Sequence, residues 1–328
     1  MNARTLITIL VVAIAVIAGV IWFINKGGEP QQAATPPATT SDQSTSGTTA
    51  STDTTTTAPA TTTATTGTTD QTQTAAAPAA TPLTALAGKT IKVATEGAYP
   101  PFNFVDANGA LQGFDVDIAN ALCAKMQVTC EIVKQDWDGM IPGLQAKKYD
   151  TIIASMSITP ERKEKISFTG KYYNTPGVIV AKSDAPITLG ADGNPTPDSL
   201  KGMKIGVQRA TIHENFVRAT FPGAEVVVYD TADNANLDLT GGRLDARMDD
   251  ILVLQDQVIK PNGDKYKIFG KGWTGGALGE GAGIGVRKED EQLRTALDEA
   301  IKAIRTDGTY KTINDKYFNF DVYGGEGS

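Results

Sequence analysis

The stretch "YDTIIASMSITPERKEKISF", Tyr149 to Phe168, decides the fold. Its apolar run "TIIA" is short and β-branched and reads as a buried strand. The charged segment after it reads as a helix, because Thr159 has the chemistry of an N-cap and Pro160 suits the first helical position. A strand that feeds a helix through "SMSIT" leaves the first helical N–H groups free. Those amides, together with the helix dipole, attract an anion. Arg162 stands one turn in, where a guanidinium can grip a carboxylate through two parallel hydrogen bonds that lysine cannot imitate. Ser155 and Ser157 add hydroxyls beside it. On these residues alone, an ordinary capped helix with a solvated arginine fits equally well.

The same alternation of strand and helix runs outward from this stretch. Upstream, "TIKVAT", "FDVDIANALCAKM", "CEIVKQ" and "GMIPGLQAKK" read in turn as strand, helix, strand and helix. Downstream, "MKIGVQ" precedes the helical "IHENFVRATF". "EVVVYD" and "ANLDLTGGRLDARMDD" continue the pattern, and "EDEQLRTALDEAIKAIRTDGTY" closes as a long helix with an Asp-Gly stop. This predicts an α/β architecture with mainly parallel sheets, and its repetition predicts two lobes. In open α/β sheets a ligand sits outside the carboxyl ends of the strands, and in two lobes those ends can face one cleft.

Three other junctions carry candidate residues. Thr211 and Glu214 have capping-box spacing directly after a strand, a second helix start that could close on the same anion. His213, in that first turn, reads as an exposed helix residue rather than a ligand. In "RLDARMDDILVL", Asp250 falls where strand becomes helix, fitted either to cap the helix or to hold a cation, while Asp249 reads as a bystander. Glu96 ends the first strand with Tyr99 beyond it, and Trp137 ends another. A carboxylate with two aromatic faces suits a cation, although core packing would also account for the rings. Nothing near Ser155 or Ser157 resembles a histidine-activated nucleophile, so serine-hydrolase chemistry is not expected.

Composition sets the outer limits. With 30 Lys+Arg against 37 Asp+Glu the net charge is −7, which argues against nucleic acid as a partner. The uncharged run Leu6–Ile24 would span about 28 Å as a helix and reads as a membrane segment, N-terminus inside. A cleaved secretory signal is the competing reading. From Glu29 to Pro82 the chain is almost wholly Thr, Ala, Pro, Gly, Ser and Gln, a composition expected to form a disordered tether. Cys123 and Cys130 lie beyond it, either as a disulfide across a short turn or as two buried thiols. No metal site is expected, since two thiolates and one distant histidine, His213, do not complete a shell.

Taken together, "ATEGAYPPFNF", "GFDVDIANALCAKM", "WDGMIPGLQAKKYD", "ASMSITPERKEKISFT", "GGRLDA" and "KYFNFDVYGG" resemble the family-3 extracellular solute-binding proteins of polar amino acid ABC transporters, in particular the histidine-binding and lysine/arginine/ornithine-binding members. The resemblance runs from Lys89 to Gly325. It implies the two-lobed, type II periplasmic-binding-protein fold, with lobe 1 formed by residues 88–175 and 283–321 and lobe 2 by residues 176–282. Residues 1–26 would be the anchor or signal, 27–87 the linker and 322–328 a tail. It also implies a Cys123–Cys130 disulfide. By motif position, Arg162, Ser157 and the backbone at Thr211 and Ile212 would bind an α-carboxylate. Asp250 and Ser155 would hold the α-ammonium, and Glu96, Tyr99 and Trp137 would line the side-chain pocket.

The expected protein is thus an extracytoplasmic monomer without cofactor, metal or catalytic residue, delivering a polar amino acid, expected to be a cationic one such as arginine, lysine, ornithine or histidine, to an ABC permease in the cytoplasmic membrane. An amino acid dehydratase on the same fold and a sensor acting through a separate partner are the rival readings. Three departures from the family pattern bear on side-chain specificity: Glu96 replaces a frequent Asp, Ala154 replaces a Ser, and "VQRAT" replaces a more glycine-rich loop. They leave room for opine-like arginine derivatives.

Overall fold

The structure, a computed structural model, describes residues 81–324. The apolar run Leu6–Ile24 and nearly all of the Thr/Ala/Pro-rich segment lie outside the described residues. Among the described residues no helix is long and apolar enough to cross a membrane. A short helical turn, Pro82–Thr84, precedes the first strand, and Leu86 is buried in the first core with Leu83 packed against it. Ordered packing therefore starts inside the stretch read as linker to residue 87. The cause is local: Leu83 and Leu86 are the first large apolar side chains after the small-residue tract, and their burial offsets the cost of ordering.

In chain order, β1 (Thr90–Thr95) leads through a small antiparallel sheet, β2 (Ala98–Tyr99), β3 (Asn103–Val105) and β4 (Leu111–Gln112), into α1 (Phe114–Met126). Then come β5 (Thr129–Lys134), α2 (Met140–Gln145), β6 (Thr151–Ile152), α3 (Pro160–Lys165) and β7 (Ser167–Tyr173). The second lobe holds β8 (Gly177–Lys182), β9 (Lys204–Gln208), α4 (Ile212–Thr220), β10 (Glu225–Tyr229), α5 (Ala232–Thr240), β11 (Ala246–Asp250), α6 (Ile251–Leu254) and β12 (Tyr266–Trp273). The chain then returns with β13 (Ala282–Val286), α7 (Glu291–Thr306) and α8 (Thr309–Tyr317).

Two main sheets result, ordered β5-β1-β6-β13-β7 and β10-β9-β11-β8-β12. The expected parallel character holds for β5, β1 and β6 and for β10, β9 and β11. One strand in each sheet is reversed. β8 runs antiparallel to both neighbours in the second sheet, and β13 does so in the first. These are the strands that the chain enters on crossing from one lobe to the other, so their first residues, and the last residues of β1, β6, β9 and β11, all meet at the space between the lobes.

Each lobe has its own apolar packing. α1 turns Phe114, Ile118, Leu122 and Met126 against Val93 and Ile284 of the first sheet. α7 buries Leu293, Ala296, Leu297, Ala300, Ile301 and Ile304, the 3–4 spacing of an amphipathic helix. In the second lobe Phe216, Val217 and Phe221 pack on Ile205, Val207 and Met248. The small β2–β4 sheet was not foreseen, its strands being only two or three residues long. It places α1 by way of Gly113, whose φ is 120° and where a Cβ would lie 2.3 Å from the Phe102 carbonyl oxygen. Only glycine lets the helix begin there.

Cys123 and Cys130 form a disulfide with Cα atoms 5.9 Å apart, joining the last turn of α1 to the start of β5. On the chain-entropy account so short a loop stabilises by about 2 to 3 kcal/mol. The double substitution Cys123→Ser/Cys130→Ser is expected to lower the unfolding free energy by about that amount while leaving the native circular-dichroism spectrum intact, as urea titration will show.

Candidate functional site

Between the lobes lies a cavity of about 330 Å³. It is lined by Glu96, Tyr99, Trp137, Ser155, Ser157 and Arg162 from the first lobe and by Thr211 and Ile212 from the second. Asp250 lines an adjoining cavity of about 410 Å³, which shares Tyr99, Ser155, Ser157, Ile212 and His213 with the first. All nine residues singled out from sequence are therefore brought to one interlobe space, although Asp250 stands a step apart from the rest.

The α3 junction forms as its residues dictate. Thr159 Oγ1 accepts the Arg162 N–H at 3.2 Å, and Pro160 opens the helix. Arg162 turns inward and is 9% exposed. Its Nη1 donates to the Ser157 carbonyl at 2.9 Å and its Nη2 to the Ala210 carbonyl at 3.3 Å. The guanidinium carbon lies 5.2 Å from the centre of the Trp137 ring. No carboxylate among the described residues pairs with it, and burial pushes its pKa down to about 10. The solvated-arginine alternative is thereby excluded. Thr211 caps α4 in the same way, accepting the Glu214 N–H at 3.2 Å, while the Glu214 carboxylate accepts the N–H of Ala210 at 2.9 Å.

Opposite Arg162 the cavity is acidic. Glu96 is 4% exposed, and burial raises its pKa to about 7. The amide of Gln208, reaching across from the second lobe at 2.6 Å, lowers it in part, while Asp249, Asp233 and Asp136 raise it further. Asp250 is likewise raised to about 7 by burial, against the hydrogen bonds of the Thr175 hydroxyl and the Leu252 N–H. It accepts that N–H at 2.8 Å and so caps α6, as one of its two sequence readings required. Ser155 has a φ of 54°, a strained value for a side chain with a Cβ, of the kind found where a site must be shaped. Its hydroxyl donates to the buried carboxylate of Asp115 at 2.9 Å.

Two readings need correction. Asp249 is no bystander: it is 2% exposed, pairs with the buried Arg247, and accepts the Tyr99 hydroxyl across the lobes at 2.6 Å. Burial works to raise its pKa, but the Arg247 guanidinium, His213, the Tyr99 hydroxyl and the Asp250 N–H together outweigh it and hold Asp249 below its usual value. His213 is not an exposed helix residue either. Its Nδ1 lies 3.4 Å from Asp249, and burial lowers its pKa against the pull of that carboxylate. Gln208, Asp115 and Tyr172 were missed altogether. The "GFDVD" stretch carried Asp115 in plain view, but helical periodicity alone gave no sign that an acid on the first turn would be wholly buried.

The lobes are tied across the cavity by Gln208 to Glu96, Tyr99 to Asp249, and the Trp137 indole N–H and Arg162 to the Ala210 carbonyl. A two-lobed α/β fold that closes on a small polar cavity defines a binding protein of the periplasmic type. The chain belongs to the bacterial extracellular solute-binding proteins, family 3, whose sequence profile matches residues 91–320. It is 46% identical over 245 residues to the L-arginine-binding protein of Pseudomonas aeruginosa, a match covering 74% of this chain and 92% of that protein. To the histidine-binding periplasmic protein of Escherichia coli it is 41% identical over 239 residues, with 72% and 90% covered. An ancestral arginine-binding protein bound to arginine shares the fold with a TM-score of 0.64 at 36% identity, over 70% of this chain and 98% of that one.

The buried acids give the ligand-free protein a pH signature. Glu96, raised from 4.5 to about 7, holds its proton more tightly folded than unfolded. Its contribution to stability is full below the unfolded pKa and is lost as pH rises through the folded one. Asp250 and Asp115 act in the same direction, being raised to about 7 and about 6. These three acids therefore contribute a fall in stability between about pH 4.5 and about pH 7, opposed by His213, whose lowered pKa adds stability as pH rises toward 6.5, and Glu96→Gln should remove a part of the fall on the order of 3 kcal/mol. Urea unfolding of both proteins across this range measures the difference, and identical slopes would remove Glu96 from the account.

Proposed function

We propose that this chain is the substrate-binding component of an amino acid ABC importer, closing on a cationic amino acid such as arginine, lysine, ornithine or histidine. The observation that carries the reading is the buried Arg162, without a carboxylate partner among the described residues, set against buried Glu96 and Asp250. A zwitterion with a second positive charge matches this pattern: its carboxylate meets Arg162, Ser157 and the N–H groups at Thr211 and Ile212, its ammonium meets Asp250 and Ser155, and its side-chain cation meets Glu96 between Tyr99 and Trp137. The names of the matched relatives, arginine- and histidine-binding proteins, support the same ligand class. In this reading the protein works as a monomer with lobes at 88–175 plus 283–321 and at 176–282. In this reading it catalyses nothing, because Glu96 and Asp250 each already have a binding role toward the ligand's positive charges.

A thermal-shift screen of the protein against the common amino acids tests the ligand class, since a ligand bound only by the folded state raises its melting temperature. Calorimetry then tests the roles. Arg162→Lys is expected to weaken every amino acid ligand by about 2 kcal/mol or more, because a desolvated carboxylate loses a bidentate partner. Glu96→Gln should weaken arginine and lysine much more than glutamine. A parent protein that binds glutamine more tightly than arginine would end the cationic reading.

The apolar run Leu6–Ile24 and the segment behind it complete the proposal as an anchor and tether on the outer face of the cytoplasmic membrane. A flexible chain of about fifty residues has an r.m.s. span of about 40 Å, enough for the lobes to move freely while staying near a permease. Tethering raises the local concentration of loaded receptor without any new contact. After osmotic shock the protein should stay with the membrane fraction, and peptide sequencing should find residues upstream of Lys26. A soluble form starting beyond Gly27 would show a cleaved signal instead.

A further inference from the structure

Asp115 sits behind the cavity on the first turn of α1 and has no exposed surface. Its carboxylate is fully used: Oδ1 accepts the Tyr172 hydroxyl at 2.7 Å, and Oδ2 accepts the Asn103 amide at 2.8 Å and the Ser155 hydroxyl at 2.9 Å. The donors lead to two different walls of the cavity. Asn103 turns its own oxygen to the N–H of Gly97 at 2.8 Å, fixing the turn between Glu96 and Tyr99. Tyr172 accepts the Ser155 N–H at 2.9 Å, so Ser155 is held by backbone and side chain together in its positive-φ conformation. An ionised carboxylate is acceptor-only, and it alone satisfies three inward-pointing donors. Burial raises its pKa to about 6, and the hydrogen bonds of Tyr172, Asn103 and Ser155 work against that and favour the ionised form.

Resting on the cationic amino acid reading, we propose that Asp115 is the positioning residue that fixes the wall reading the ligand's side chain relative to the wall reading its α-amino group, and so sets the preference for a long cationic ligand. It touches no ligand. It acts through Asn103 on the Glu96 turn and through Ser155 on the opposite wall. Asp115→Asn keeps the shape but turns one acceptor into a donor facing donors. A residue that merely stabilised the first lobe would, when replaced, lower the melting temperature and leave the ratio of affinities for two ligands alone.

The test is calorimetry on the full chain with L-arginine and L-glutamine. Asp115→Asn is expected to weaken L-arginine by about tenfold or more, the cost of a buried donor left without its acceptor, and to shrink the arginine-to-glutamine preference. Asn103→Ala, which cuts only the branch to the Glu96 turn, should shrink the preference as well. Ser155→Ala should weaken both ligands and leave their ratio unchanged. If Asp115→Asn does not fold, the other two variants decide the matter. A folded Asp115→Asn, or an Asn103→Ala variant, that keeps the parental ratio overturns the proposal while leaving the ligand class standing. A parent that binds neither amino acid overturns the ligand class and the positioning role together.

Discussion

A guanidinium removed from water, with no carboxylate among the described residues beside it, is the constraint on which this structure turns. Desolvating such an ion costs several kcal/mol even after relaxation, and the protein offsets the cost only in part. Two carbonyl oxygens, from Ser157 and Ala210, accept from Arg162, and the Trp137 ring lies over it. One carbonyl belongs to each lobe, so the charge is best solvated when the lobes are together. What remains uncompensated is the full negative charge that a ligand carboxylate would bring. In the proposed reading, closure and anion binding are two parts of one electrostatic problem.

The topology makes that arrangement possible. Each sheet runs most of its strands toward the cleft and receives one reversed strand, β8 or β13, from the opposite lobe. The cleft is therefore walled by strand ends, where backbone leaves the ladder and side chains are free to differ. Glu96 comes directly after β1, Ser155 lies just beyond β6, Gln208 ends β9 and Asp250 ends β11. Sheet interiors supply the rigidity, and these termini supply the chemistry. The close fit of Gly113 against Phe102 matters for the same reason, since it seats α1 so that Asp115 reaches beneath two of those ends.

The α/β alternation and the helix starts at Thr159 and Thr211 were legible because each is a local pattern, an apolar run followed by a capping residue, whereas the same residues suited an inward or a solvated Arg162 equally and only the family resemblance implied its role. The reversed strands were not, since a β-branched run looks the same in either direction. The roles of Asp249, His213 and Asp115 were hidden for a related reason. Sequence shows that an acid is present, and its burial depends on which side chains from distant segments surround it. Asp249 meets Arg247 two residues away but Tyr99 from the other lobe, and only the second contact distinguishes a cleft residue from a strand-end ion pair. Asp250, by contrast, could be read either as a helix cap or as a cation holder, and it does cap α6 while lining the interlobe space.

The distribution of charge in the cleft also explains how discrimination can arise without close shape matching. Glu96 and Asp250, each raised to about 7, are part protonated near neutral pH, so without a cation they present less than their full negative charge to a neutral side chain. A cation placed beside either one favours its ionised form and strengthens its own attraction as the proton leaves. Glutamine could accept or donate a hydrogen bond there but would draw out no charge. Glu96 differs from an aspartate by one methylene, which carries its carboxylate farther from β1 and toward Gln208 of the facing lobe. In the proposed reading the group that meets the ligand's side chain is thus also one that ties the lobes, so a ligand that ionised Glu96 would also strengthen, by charge assistance, a hydrogen bond that holds the cleft closed.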